Sequence, residues 1–260
     1  MADASCPVPF SDYDRVVLAH GAGSRVMQRL IRELFVAEFG GDALSRAHDG
    51  ASVAIDGPVV TTVDGFTVSP RFFPGGDLGS LAVYGTVNDL AMCGARPVAL
   101  TCGFILEEGL PLEELARLVR SMAAAAREAG VEIVAGDTKV VERGKGDGVF
   151  ITTTGLGQLV APRAIDPRDV RAGDTVLVSG PIGDHGIAVL SHREGLRFST
   201  EILSDAASVH RPALALFEAG LDVHAWLKSP TFEPAVGQAV ERLLDEATRL
   251  YVRAQPGIGA

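Results

Sequence analysis

Apolar and polar residues alternate along the chain with two different periods, and together they predict an α/β protein. Helical spacing is clearest between Pro111 and Gly130. One apolar stripe there consists of Leu115, Leu118, Val119 and Met122. Proline fits the first turn of a helix and glycine ends one, so the boundaries agree with the stripe. Runs rich in β-branched residues predict strands over 16–18, 52–56, 59–63, 97–106, 131–135 and 149–159.

The run FFPGGDLGSLAVYGTVNDLAMCGARP, residues 72–97, predicts a turn followed by a helix. Pro74-Gly75-Gly76 forms the turn, and Asp77 stands where its carboxylate accepts the first free N–H groups of a helix. One stripe of this helix contains Leu78, Ala82, Gly85, Asp89 and Met92. An acid therefore interrupts a face of small or apolar residues. The pattern fits a helix–helix contact around a hydrogen-bonded core aspartate, or the close approach of a ligand.

The sequence AHGAGS, residues 19–24, predicts a glycine-rich turn between a strand and a helix. Ser24 is expected to cap this helix, whose apolar stripe contains Val26, Leu30, Ile31, Leu34 and Phe35. A strand, turn and helix in this order present backbone N–H groups to an anion. Plain turns share the pattern, however, and His20 beside it is more often a hydrogen-bonded structural residue than a catalyst.

Four aspartates recur at predicted element ends or on an inward face: Asp49, Asp64, Asp89 and Asp137. Asp137 lies in the sequence Gly136-Asp137-Thr138-Lys139, directly after a predicted strand. Carboxylate oxygens suit Mg²⁺, and a lysine neutralises phosphate charge. The set suits a nucleoside triphosphate with Mg²⁺, without the glycine-rich loop of P-loop enzymes. Turn-forming aspartates at strand ends are the structural alternative.

Composition narrows the choice of partners. A net charge of −10 over 260 residues argues against nucleic acid and anionic membranes, but is compatible with ATP bound through a divalent cation. The three cysteines, Cys6, Cys93 and Cys102, lack zinc-site and CxxC spacing, which fits a reducing cytosol. We find no signal-peptide pattern and no apolar stretch of about 18 residues, so we expect a cytoplasmic protein.

The run 72–97, CGFILEEGLP at 102–111 and GDTKVVERGKGDGVFI at 136–151 closely resemble the HypE family of hydrogenase maturation factors. That family belongs to the superfamily of aminoimidazole ribonucleotide (AIR) synthetase, selenophosphate synthetase and thiamine-phosphate kinase. The resemblance covers most of residues 16–224 and implies a PurM-like two-domain α/β fold, an α+β sandwich. It implies an N-terminal AIR synthase-like domain at 1–161, whose sheet forms a β-barrel with that of a second subunit. Residues 162–260 would then form an incomplete C-terminal domain.

The resemblance also implies ATP and Mg²⁺ near the dimer interface, and it assigns roles to residues. The implied metal ligands are Asp49, Asp64, Asp89 and Asp137. The implied catalytic residues are Lys139, Asp89 and His20. The implied nucleotide-binding residues are Gly21, Gly23, Asn88, Gly136, Asp137 and Thr138. Two positions, Gly23-Ser24 and Asp49-Gly50, depart from the usual family pairs and leave the metal geometry open.

Proteins of the HypE type carry a carbamoyl group on a C-terminal cysteine and use ATP to dehydrate it to a thiocyanate, which supplies the iron cyanide ligands. The partners implied are a second copy of the chain, a carbamoyltransferase and the Fe–cyanide assembly scaffold. After residue 224 the resemblance ends, and Gly257–Ala260 contains no cysteine, so we expect impaired catalysis. Cys93 and Cys102 are expected to be buried fillers rather than acceptors.

Two alternatives to catalysis of this kind stay open. One is a non-catalytic truncated paralogue that binds nucleotide and maturation partners. The other is a different kinase or synthetase of the superfamily. In the second half, Gly183-Asp184-His185-Gly186 predicts a helix start that is either a capped end or a phosphate contact. Further elements are predicted over 173–180, 209–219, 221–224 and 236–252.

Overall fold

The computed structural model describes residues 13–163, 165, 183–196 and 200–219, and its centre is a four-stranded sheet. The strands are β1 (Val59–Phe66), β2 (Phe72–Phe73), β3 (Gly76–Asp77), β4 (Ala95–Glu107), β5 (Glu132–Val141) and β6 (Val149–Leu159). The sheet order is β1-β6-β4-β5, and β2 pairs with β3 as a separate hairpin. β4 and β5 are parallel, whereas β6 is antiparallel to both of its neighbours. A mixed α/β fold of the expected class is confirmed.

The helices are α1 (Arg25–Leu30), α2 (Ala37–Phe39), α3 (Asp42–Ser45), α4 (Leu78–Met92), α5 (Leu112–Ala129), α6 (Asp184–Glu194) and α7 (His210–Glu218). A π-helical turn, Ile31–Val36, joins α1 to α2, and a 3₁₀ turn, Leu18–Gly21, precedes α1. Ser24 caps α1 as predicted, because its hydroxyl accepts the N–H of Met27 at 3.3 Å. In the described residues no helix is both long and apolar enough to cross a bilayer.

Helices α4 and α5 cover one face of the sheet and form the core with it. The predicted stripe of α5 is fully buried at Leu115, Leu118, Val119 and Met122. Gly130 ends α5 in the left-handed conformation, with φ of 71°. Where α4 crosses α5, a Cβ on Gly79 would lie 2.3 Å from the carbonyl oxygen of Leu118, so only glycine allows this approach. The two helices therefore form a layer on one face of the sheet, and the candidate site residues are positioned relative to this layer.

The opposite face of the sheet carries exposed side chains. Alternate residues of β1 point away from the helices, and Val59 and Val63 are 54% and 64% exposed. Residues that pair directly across strands share a face, and the register runs from Val63 through Thr154 to Thr101. Ile105 lies on this same face of β4 and is 43% exposed. We call this surface the open face.

Two predicted strands are wrong. Residues 16–18 do not form a strand: Arg15 makes an isolated bridge to Pro111, and the chain then enters the 3₁₀ turn. The His20 ring stabilises this turn locally, because its Nδ1 accepts the N–H of Val17 at 3.0 Å. Residues 52–56 are irregular, so β1 lacks the predicted strand partner on its N-terminal side. Short β-branched runs therefore overpredict strands here.

Strand β5 is longer than predicted. It continues to Val141, so Gly136, Asp137, Thr138 and Lys139 lie within the strand instead of after it. A Cβ on Gly136 would lie 2.7 Å from the carbonyl oxygen of Cys102, so the glycine allows β5 to stay close to β4. Placed in a strand, Asp137 and Lys139 share one face, two residues apart.

The described parts of the second half pack on the first. Helices α6 and α7 occur where the sequence predicts them, and Arg96 pairs with Glu218 of α7 at 3.1 Å. The predicted elements over 173–180, 221–224 and 236–252 lie outside the described residues, as does Cys6. The domain boundary between residues 161 and 162 therefore stays a prediction, and so does the incomplete second domain.

Candidate functional site

Asp64 and Asp89 lie together where α4 crosses the edge strand β1. The Thr62 hydroxyl donates to Asp89 Oδ2 at 3.1 Å. Thr62 and Asp64 are two residues apart and share the helix-facing side of β1. A Cβ at Gly85, one turn before Asp89, would lie 3.7 Å from Asp64 Oδ2. Thr62 was missed in the sequence, although its position two residues before Asp64 on a strand places both on one face.

The inward position predicted for Asp89 is wrong. Leu78 and Ala82, at the start of its stripe, are fully buried, but Asp89 is exposed and Met92 is 45% exposed. The second half of α4 lies against β1, which is the last strand at that edge of the described sheet. The space beside Gly85 is filled by an aromatic ring, since a Cβ there would be 2.8 Å from Phe66 Cζ.

Lys139 and Asp137 form an ion pair on the open face, at the other edge of the sheet. The distance from Lys139 Nζ to Asp137 Oδ2 is 2.6 Å, and both side chains are 62% exposed. Thr138 between them is buried toward the helices, which places its two neighbours on the opposite side. The hydrogen bond from Lys139 is the main cause that lowers the pKa of Asp137, so this carboxylate is charged at neutral pH.

A single chain does not bring these two groups together. Asp64 and Asp89 lie on the helix-covered side of β1, whereas Asp137 and Lys139 lie on the open face of β5. Three strand spacings separate β1 from β5, which amounts to about 14 Å. Within the described ranges, no group of three or more His, Cys, Asp or Glu side chains could hold a metal ion. The described residues of one chain therefore keep Asp64 and Asp89 apart from Asp137.

Asp49 also lies apart from the other predicted ligands. It is exposed in the irregular segment 46–58, which precedes β1. Next to it, the N–H of Gly50 contacts Nδ1 of His48 at 3.4 Å. The segment leads directly into the strand that carries Asp64. Asp49 therefore stays a predicted metal ligand, and its carboxylate is exposed in the single chain.

The His20 turn packs beside β5, the strand of Lys139. His20 is 3% exposed, its ring contacts the Tyr13 ring edge-on, and burial lowers its pKa. A Cβ on Gly21 would lie 2.5 Å from the backbone nitrogen of Val140, so glycine is required for this contact. Gly23 has φ of 66°, a conformation that favours glycine. In this chain the turn has a clear structural role, and His20 has the buried, hydrogen-bonded position that is typical of a structural histidine.

The remaining predicted nucleotide-binding residues make contacts within the chain. The Asn88 amide bonds at both ends to the main chain of residues 207 and 209. Thr138 is 4% exposed, and its N–H donates to Asp137 Oδ1 at 2.8 Å. Gly136 allows the close β4–β5 pairing described above. Thr138 is therefore buried and Asn88 is held by contacts within the chain, whereas Gly136 is exposed.

The two described cysteines are poorly suited to accept a group. Cys102 is buried in β4, and burial raises its pKa to about 12. Cys93 follows α4 and is half-buried, and its pKa is raised first by burial and then by the charge of Asp89. A raised pKa reduces the fraction of reactive thiolate at neutral pH. Cys102 fits the predicted buried filler, while Cys93 is only partly covered.

The start of α6 is capped, as one of the two interpretations proposed. The cap, however, is Asp205 rather than Asp184, because its carboxylate accepts the N–H groups of Gly183 and His185 at 3.0 and 2.8 Å. His185 also packs against Phe73 and bonds to the Ser204 hydroxyl. Asp205 lies 20 or more residues from the helix start, so local sequence gives no signal for it.

Comparison with known proteins places this geometry in a family. Residues 47–159 match the family model of the AIR synthase related protein, N-terminal domain. The chain is 57% identical over 198 residues to carbamoyl dehydratase HypE of Cupriavidus necator. That match covers 75% of this chain and 56% of the relative, so the chain spans little more than half of the relative's length.

Solved structures agree with the sequence comparison. A structure of the hydrogenase maturation protein HypE in complex with ATP superposes with a TM-score of 0.75 at 50% identity, over 77% of this chain and 60% of that one. A HypE–HypF complex gives a TM-score of 0.61 at 50% identity, over 73% of this chain and 61% of that one. The PurM-like fold expected from the sequence is thus confirmed.

Proposed function

This chain is a HypE-type member of the AIR synthase related proteins, and from that premise we propose that it binds ATP with Mg²⁺ as a homodimer and acts as a carbamoyl dehydratase in hydrogenase maturation. The observation that carries the proposal is a pair of carboxylates at the edge of an AIR synthase related domain: Asp89 accepts the Thr62 hydroxyl, and Asp64 Oδ2 lies beside Gly85, one turn before Asp89. Oxygen ligands of this kind suit Mg²⁺, which is usually held by one or two carboxylates together with substrate phosphates.

The open face supports the proposed homodimer. Val59, Val63 and Ile105 are exposed there, while α4 and α5 cover only the other side of the sheet. The described residues leave this face uncovered, and a sheet face that carries apolar residues is stabilised by a second layer. A second copy would supply that layer. We propose that the nucleotide lies at the rim of this interface, where the edge strand β1 of one copy, which carries Asp64 and lies beside Asp89, meets the edge strand β5 of the other copy, which carries Asp137 and Lys139.

In the proposed site, the acidic residues would bind the metal ion and Lys139 would bind phosphate. Asp64, Asp89 and Asp137 would hold Mg²⁺, which neutralises phosphate charge when bound, and Asp49 is a further candidate from the same half of the domain. Lys139 is a compact charge that can move from Asp137 to a phosphate oxygen. The backbone of the His20 turn lies along β5, within the same region of the fold.

The proposed net reaction removes water from a thiocarboxamide, R–S–C(=O)NH₂. The amide oxygen leaves as phosphate, ATP becomes ADP, and the product is the thiocyanate R–S–C≡N. Lys139 would hold the transferred phosphoryl group through its charge. A HypE–HypF complex has been solved for a relative. We propose that this chain likewise binds a carbamoyltransferase, and delivers cyanide to an Fe–cyanide assembly scaffold.

A non-catalytic role, in which the chain binds nucleotide and maturation partners without turnover, is the second candidate. The observation that favours it is the state of the two described cysteines, whose raised pKa values make them poor acceptors. Measuring the formation of ADP distinguishes the two functions. Under the first proposal, ADP forms when a peptide bearing a thiocarboxamide is added, and under the second, ATP binds but ADP release stays at the background rate.

Isothermal titration calorimetry with ATP and MgCl₂ tests the proposal. The double variant Asp64→Asn/Asp89→Asn is expected to bind ATP at least about tenfold more weakly, because hydrogen bonds and ion contacts to charged groups contribute about 1.5–3 kcal/mol each. Asp56→Asn is the matched control, since Asp56 is an exposed acid in the loop before β1. The absence of binding heat for the unaltered chain, or equal affinity in the double variant and the control, would contradict the proposal.

A further inference from the structure

We infer that Asn88 is a positioning residue, which fastens the segment 204–210 to α4 and so orients the helix turn that carries Asp89. Its side-chain amide reaches the main chain at two points. Nδ2 donates to the carbonyl oxygen of Ala207 at 2.9 Å, and Oδ1 accepts the N–H of Val209 at 2.8 Å. We call these two hydrogen bonds the Asn88 latch. They give Asn88 a role that its place in the nucleotide-binding motif does not indicate.

The segment held by the latch is tied to three other elements. The N–H of Ser204 donates to the carbonyl oxygen of Pro74 at 2.8 Å, in the turn between β2 and β3. The Asp205 carboxylate caps α6, and the Ser208 hydroxyl pairs with Nδ1 of His210 at 2.6 Å in α7. Gly75 has φ of 87°, and a Cβ there would lie 2.6 Å from the Ser204 nitrogen. The segment therefore connects the hairpin, α6 and α7 to one turn of α4.

The latch and the acid site share that turn. Successive helix residues point about 100° apart, so Asn88 and Asp89 reach different flanks of α4. Asp89 bonds to Thr62 of β1 on one flank, and Asn88 bonds to the segment on the other. Movement of the segment therefore changes the position of the Asp89 carboxylate. The chain uses Asn88 to couple the second half to the acid site.

Two variants break the latch from opposite sides. Asn88→Ala removes the amide, whereas Val209→Pro removes the N–H donor and leaves α4 unaltered. Hydrogen exchange followed by mass spectrometry is expected to be roughly tenfold faster in both variants over 207–216, since each variant loses one or both of two hydrogen bonds. Asn88→Asp keeps the acceptor for Val209 and is expected to give an intermediate rate.

The effect on ATP rests on the proposed function. Both variants are expected to bind ATP with Mg²⁺ about fivefold more weakly, a typical coupling between two sites. Val209→Pro is decisive, because Val209 is in the segment rather than in the binding motif. An affinity loss in Asn88→Ala without one in Val209→Pro would mean that Asn88 contacts the nucleotide directly, and would overturn the inference.

Tyr84→Phe is the matched control. Tyr84 lies one turn before Asn88, and its hydroxyl donates to Glu128 Oε2 at 2.7 Å, so the variant loses a hydrogen bond of α4 without touching the latch. We expect wild-type exchange over 207–216 in this control. Equal exchange in Asn88→Ala and Tyr84→Phe would overturn the inference, whether or not ATP binds. Absence of ATP binding with faster exchange would instead contradict only the proposed function and leave the latch established.

Discussion

At the scale of single residues, burial separates the structural histidine from the charged groups of the proposed site. Asp137 and Lys139 are exposed, and Lys139 lowers the pKa of its partner. His20 has almost no contact with solvent, and burial lowers its pKa although its hydrogen bond to Val17 acts in the opposite direction. A neutral, buried ring is suited to holding a turn, and this role has a consequence for stability at low pH.

The chain is expected to lose stability as pH falls below the ordinary histidine pKa of 6.5. Burial lowers the pKa of His20 in the folded chain, so the unfolded chain takes up a proton first and the free energy of unfolding decreases. His20→Asn keeps an acceptor for the N–H of Val17 but does not titrate. It should show a smaller fall in Tm between about pH 7.5 and 5.5 than the unaltered chain.

His192→Asn is the control for the loss of a histidine, because His192 is exposed in the last turn of α6. The fall in Tm should be smaller in His20→Asn than in this control. Burial also lowers the pKa of His210, so some pH dependence is expected to persist in His20→Asn. A steeper fall of Tm in His20→Asn than in the unaltered chain would contradict the structural role of His20.

At the scale of elements, α4 connects both the acid site at Asp89 and the Asn88 latch to the core. Its N-terminus is capped by Asp77, whose Oδ1 accepts the N–H groups of Gly79 and Ser80 at 2.8 and 3.0 Å. Its first turn packs on α5 through Gly79, and its last two turns carry the Asn88 latch and Asp89. A shift of α4 against α5 would therefore move the acid site and the latch together.

Gly79→Ala tests how tightly α4 is packed. The new Cβ would lie 2.3 Å from the backbone oxygen of Leu118, so overpacking should outweigh the better helix propensity of alanine and lower the free energy of unfolding by about 1–3 kcal/mol. Gly186→Ala in α6 is the matched control. Nothing lies within 4 Å of a Cβ there, so this variant should gain up to about 1 kcal/mol. Urea unfolding measures both, and a stabilised Gly79→Ala variant would refute the packing.

Elements with a long, regular pattern of apolar residues were predictable from the sequence. Elements whose form depends on a single contact were not. The apolar stripe and the flanking proline and glycine gave α5, and the β-branched run gave β6 with its observed bounds. The 3₁₀ turn at Leu18 depends on one hydrogen bond to His20, which no periodicity records. Likewise, the extension of β5 depends on a close approach to β4 at Gly136. Such individual contacts decide details that periodicity cannot.

The sequence proposes the residues of the candidate site but not its geometry. The motifs point to the acids and Lys139, but the predicted strand ended at residue 135, so the shared face of Asp137 and Lys139 was not foreseen. Nothing in the sequence indicated that this face is the opposite of the one that carries Asp64. The partner groups Thr62 and Asp205 also depend on tertiary contacts.

At the scale of the whole molecule, the two faces of the sheet have different roles. One is covered by α4 and α5, and the other exposes apolar residues together with Lys139 and Asp137. Val63→Lys places a charge on the open face, where it would be buried and unpaired in a dimer. We expect dimerisation, measured by analytical ultracentrifugation, to weaken on the order of 100-fold.

The control for this variant is Leu196→Lys, which places the same charge at a residue after α6 that is 49% exposed. It should not change the sedimentation of the dimer. A Val63→Lys variant that still forms dimers as tightly as this control would show that the open face is not the interface between copies.

The central claim is that two copies together form the nucleotide site, each giving a different half. Calorimetry on a mixture of two variants tests it most directly: Asp64→Asn/Asp89→Asn chains mixed with Lys139→Ala chains, each of which should bind ATP with Mg²⁺ weakly alone. In a mixed dimer, the intact acids of one copy meet the intact lysine of the other, so one tight site per mixed dimer should return. A mixture that binds no better than either variant alone would contradict the claim.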